Sequence, residues 1–109
     1  MMLDTSQMQP MNYADIVSDL TLFFHKGGGT HNDWFVGIAA DPQERLFAQH
    51  NLGSCDESTC RVLLAESFAA AECAKKSLLA KPFDHASNKD DGESLYVYLY
   101  KKQPGLTIP

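Results

Sequence analysis

Cysteine, basic charge and long apolar runs are all scarce in this sequence, and each scarcity excludes something. Three cysteines, Cys55, Cys60 and Cys73, are an odd number in 109 residues. They are too few for a disulfide-dense scaffold, and with no secretory signal they read as reduced thiols. Nine Lys+Arg stand against 14 Asp+Glu, a net charge of −5. That balance argues against a strongly electrostatic nucleic-acid binder of the histone or repressor kind, while leaving local basic patches open. No stretch approaches the roughly 18 apolar residues of a membrane span, and the opening MMLDTSQMQP has neither the basic region nor the apolar run of a signal peptide. A soluble cytoplasmic protein with no membrane association is expected.

What the chain does have is 44% apolar residues, enough for one core without metal or disulfide staples. Residues 1–11 carry no sustained period and read as a loose arm, or a strand that needs a partner, before a single domain over 12–109. Asn12 can cap a helix in which Tyr13, Ile16, Val17, Leu20, Phe23 and Phe24 recur at spacings of three and four. Gly27-Gly28-Gly29 must end it. Trp34–Ala39 is short, aromatic and β-branched, as a buried strand is. Asp41 and Pro42 then open a helix to about His50. A strand over Cys60–Ala65, a helix over Phe68–Leu79 stopped by Pro82, and a strand over Leu95–Tyr100 complete the set, with polar turn residues from His85 to Glu93.

The order α-β-α-β-α-β in so short a chain predicts an α/β (α+β) domain, a small three-stranded sheet with about three helices packed around it. Trp34, Val36, Ile38, Leu46, Val62, Leu64, Phe68, Val97 and Leu99 are the expected core.

The window WFVGIAADPQERLFAQHN, residues 34–51, is the strongest functional signal. A strand carrying an aromatic, Val and Gly, a polar turn, and a helix with Arg eight residues beyond the Gly (Gly37 and Arg45) resembles the second half of the GIY-YIG nuclease core. Small phage and bacterial proteins with such a window, an Ala-rich helix with Glu, and a VYxY strand are similar over about residues 33–101. The resemblance implies that Arg45 holds a phosphate, that Glu72 in SFAAAECAKK holds Mg²⁺ or Mn²⁺, and that the partner is nucleic acid. It also places the chain in a bacterial or phage-infected cell. Such chemistry suits these residue types. Arg presents a planar fork to phosphate oxygens, Glu is a hard oxygen ligand, and phosphodiester hydrolysis needs a cation on the developing charge.

Three departures accompany the resemblance. Phe35 stands where the family has Tyr. His50 lies five residues after Arg45, one beyond the family's usual place, which in an α-helix turns it by about 100°. The family's first motif, a Tyr-Val-Tyr strand that normally precedes the second, is absent from 20–26, and LYVYLY at 95–100 resembles it instead. If that strand pairs antiparallel with 34–39, Tyr96 or Tyr98 supplies the hydroxyl that Phe35 lacks. The same residues also fit a non-catalytic phage-type accessory or anti-defence protein that keeps the fold and binds another protein.

Other features read more plainly. His25 to His31 lacks the Gly-Lys-Ser/Thr ending of a phosphate loop and comes after a helix, so it reads as a connector. Cys55 and Cys60 near His50 lack a second close pair for zinc. Alternation of Tyr96, Tyr98 and Tyr100 with Val97 and Leu99 is what a strand with one solvated face shows.

Overall fold

The computed structural model describes residues 8–52, 59–85, 95–103 and 107. Helix α1 runs Tyr13–Gly27, three residues past Phe24. The Asn12 side chain caps it by accepting the Asp15 N–H at 2.9 Å. Gly28, at φ 75, closes it by donating its N–H to the Phe24 carbonyl, a left-handed conformation that glycine adopts without penalty. A short 3₁₀ turn, His31–Asp33, leads into β1, Trp34–Ala39. A π-helix, Glu44–Gln49, comes after β1, and then β2, Cys60–Leu64, α2, Phe68–Leu78, β3, Asp84–His85, and β4, Tyr96–Lys101.

The sheet order is β2-β4-β1-β3. β4 lies between β2 and β1 and is antiparallel to both, with Gly37 opposite Tyr98 and Phe35 opposite Tyr100. The antiparallel pairing of the last strand with 34–39 is thus as expected. The α+β class holds, but the sheet has four strands instead of three. β3 is only two residues long and joins the outer edge of β1 in parallel. A segment that short has no periodicity to read in sequence.

Both faces of the sheet are covered. Trp34, Val36, Ile38, Leu63, Val97 and Leu99 meet Ile16, Leu20, Phe23 and Phe24 of α1 and Ala70, Ala71, Ala74 and Leu78 of α2. Phe35, Ala39, Val62, Tyr98 and Tyr100 form a second core with Leu46 on the opposite face. The tyrosines of β4 therefore do not line a solvated face, because Leu46 and Phe47 of the π-helix, with Leu52 beyond it, pack over them. Of the nine expected core residues, only Leu64 and Phe68 are half-buried, and the rest are buried.

Met11 already belongs to the fold. Its N–H donates to the Leu64 carbonyl and its carbonyl accepts the Glu66 N–H, both at 2.9 Å. Cys60 is disulfide-bonded and Cys73 carries a free thiol, which corrects the expectation that all the cysteines are reduced. Cys55 and most of the polar stretch 85–93 lie outside the described residues. Among the described residues no helix is long and apolar enough to cross a membrane.

Candidate functional site

The site is built where β1 hands over to the π-helix. Asp41 caps that start, its carboxylate accepting the Glu44 N–H at 3.1 Å, and its carbonyl accepts the Arg45 N–H. The next turn is wider than an α-helix. The His50 N–H donates to the Arg45 carbonyl at 2.9 Å, a bond between residues five apart. Residues joined in this way stand one above the other along the helix. The five-residue separation that would rotate His50 away in an α-helix is absorbed here, and Arg45 and His50 share one column. Asn51, at φ 59, ends the turn in the left-handed conformation that Asn tolerates better than most residues.

His50 is only 6% exposed, and both of its ring nitrogens meet phenols. Nε2 lies 2.8 Å from the Tyr98 hydroxyl and Nδ1 lies 3.1 Å from that of Tyr100. The Phe35 ring sits 4.7 Å from the imidazole and stacks on Tyr100 at 5.3 Å with an interplanar angle of 24°. Phe35 thus packs the cluster, and β4 supplies the hydroxyls. Gly37 makes room for it, because a Cβ there would collide with the Tyr98 hydroxyl and ring edge. Burial raises the pKa of the Tyr100 phenol, with the charges of Tyr98 and Asp84 adding to it, so Tyr100 keeps its proton.

Arg45 is half-buried, and its Nε is buried without a hydrogen-bond partner among the described residues. A buried donor left unpaired is costly. Tyr96 is half-buried on the same face and packs against this cluster.

Glu72 is elsewhere. α2 packs on the other side of the sheet, and the Glu72 carboxylate, 46% exposed, lies 3.7 Å from the Lys76 ammonium one turn on. Arg45, His50, Tyr98 and Tyr96 are therefore gathered on one face, while Glu72 is separated from them by the sheet. No three His, Cys, Asp or Glu among the described residues group as metal ligands. A lone carboxylate facing an ammonium does not fit the oxygen-rich shell that Mg²⁺ or Mn²⁺ takes.

Two parts of this site escaped the sequence reading, the π-turn and the role of Tyr100. Tyr100 had a usable signal, because residues two apart on a strand share a face, so Tyr98 and Tyr100 had to travel together. No family model, curated protein or solved structure matches the chain.

Proposed function

We propose that the chain binds nucleic-acid phosphodiesters on the face made by the π-helix and β4, as a GIY-YIG-like domain would. Arg45 holds the phosphate, while Tyr98, 1% exposed and bonded to His50, belongs to the packed core beneath the helix and supports it. The half-buried Arg45, on the helix that covers β4 and with an Nε that has no hydrogen-bond partner among the described residues, carries this reading, because a planar guanidinium matches phosphate oxygens. Binding without cleavage is the form these residues support best. Glu72 does not fit a metal beside Arg45, so no hydrolytic step is derived through Mg²⁺ or Mn²⁺.

The test is binding and cleavage of single-stranded, duplex and branched DNA and of RNA, with and without Mg²⁺ and Mn²⁺. Arg45→Ala should weaken binding roughly tenfold or more, the scale of a charge-assisted hydrogen bond. Glu72→Ala should leave binding unchanged. Metal-dependent cleavage that Glu72→Gln abolishes would restore the nuclease reading in full. Failure to bind any nucleic acid would favour the rival, a phage-type accessory protein acting on another protein. The net charge of −5 favours that rival.

A further inference from the structure

His50 is an ionisable side chain buried at the end of the π-helix, with a buried phenol on each ring nitrogen. A neutral imidazole has one nitrogen that donates and one that accepts. The ring therefore receives the hydrogen of one phenol and gives its own to the oxygen of the other. This holds whichever way the chain of bonds runs between Tyr98 and Tyr100.

A second proton on the ring changes the count. An imidazolium donates from both nitrogens, so both phenol oxygens must accept and the ring receives neither phenol hydrogen. A donor that was satisfied in the neutral cluster is displaced, inside a core closed to solvent. The new charge must also sit among apolar groups, which burial disfavours. From β1 the ring meets Phe35 at 4.7 Å, and β2 contributes the disulfide-bonded Cys60 to the same core. The titratable groups on β4 are the phenols of Tyr96, Tyr98 and Tyr100. On β3, Asp84 acts on Tyr100 and is itself paired with Lys102 at 3.0 Å. Along its own helix, Glu44 is exposed and Arg45, in the same column, adds a like charge that opposes the imidazolium.

We infer that protonation of His50 is an acid-operated release, in which the imidazolium leaves the two phenols for solvent and lifts the π-helix from β4. The helix is only six residues long, and His50 is its polar tie to the sheet. Release stays local because the two faces of the sheet hold separate cores, with α1 and α2 on the opposite one. It depends on His50 and not on whether Arg45 holds a phosphate.

The test uses the triple variant His25→Gln, His31→Gln, His85→Gln, labelled with ¹⁵N at histidine, in which His50 is the remaining ring. At about pH 7.5, above the ordinary imidazole pKa of about 6.5, its nitrogen shifts should be those of a neutral ring, with nuclear Overhauser contacts to the Phe35 ring. Lowering the pH to about 5 should convert it to imidazolium and abolish those contacts together. The Trp34 indole N–H, bonded to the Gly28 carbonyl at 3.0 Å, belongs to the other core and should keep its signal. In His50→Gln the amide offers a donor and an acceptor at every pH, so the Phe35 ring should keep its contacts with residue 50 throughout. Imidazolium shifts at the higher pH, or Phe35 contacts intact at the lower one, would overturn the release. Loss of the Trp34 signal in step with those contacts would overturn it as well, by showing that acid unfolds the whole domain. So would acid loss of the contacts in His50→Gln, which would assign the change to other groups.

Discussion

The Tyr98 hydroxyl stands in the space that a side chain at Gly37 would need, and the two residues are cross-strand partners on β1 and β4. The same hydroxyl lies on the His50 Nε2. One missing methyl group on β1 therefore determines where the polar cluster can sit.

Gly37→Ala should push the Tyr98 ring off His50 and cost about 1–3 kcal/mol, the usual range for overpacking a filled core. The ring carbons of Tyr98 crowd the site as well as its oxygen. Tyr98→Phe should therefore fail to relieve the alanine, and Tyr98→Leu should partly relieve it. Urea denaturation of the single and double variants measures this coupling, and simple additivity would show that Gly37 matters for another reason.

Deleting Ala48, which is exposed on the π-helix, should be tolerated. His50 would then lie four residues from Arg45, the α-helical repeat, and would remain in its column. Thermal unfolding should show a melting temperature equal to or above that of the parent, with the His50 to Tyr98 contact kept. Loss of cooperative folding would mean that the wide turn is required by the packing around it.

Stability should fall at high pH through Tyr100. Burial raises its folded pKa above the unfolded value of about 10. The unfolded chain then ionises first, so the contribution is complete below about pH 10 and is lost as the pH climbs above it. Tyr100→Phe should flatten that decline in denaturation curves taken between about pH 8 and 11. An equally steep fall in the variant would assign it to other groups.

Asp33 works at the other end of the scale. The Thr30 backbone N–H, bonded to its carboxylate at 2.8 Å, is the main cause holding its pKa below the ordinary value, helped by the Thr30 hydroxyl and by Lys101 and Lys102. Its contribution is present above the unfolded pKa of about 3.9 and is lost as the pH falls through the lower folded value. Asp33→Asn should reduce the acid sensitivity of stability. Hydrogen exchange at the Thr30 amide should quicken, and an unaltered rate would show that the cap is not what protects it.

Much of this was readable in the chain itself. Asn12, Gly28 and Ser67 act at α1 and α2 as caps do anywhere, because capping is a contact between near neighbours. The runs 34–39 and 95–100 declared themselves as strands by composition, and their antiparallel pairing was suggested by the hydroxyl that Phe35 lacks. Arg45, His50 and Tyr98 were legible as candidates only through the family resemblance of the 34–51 window and of the strand at 95–100.

What remained hidden depended on long-range packing. Periodicity reports which residues share a face but not what covers it, so Tyr98 and Tyr100 looked half-solvated until the π-helix closed over them. The same limit applies to Glu72. Sequence placed it on a helix, but only the stacking of α2 against α1 put the sheet between it and Arg45. The π-turn is the sharpest case. The wide turn accompanies the contacts of His50 with two buried phenols, which span 48 and 50 residues and leave no local signal in the sequence. Sequence alone determined the elements and their chemistry, and tertiary packing decided which of those side chains meet.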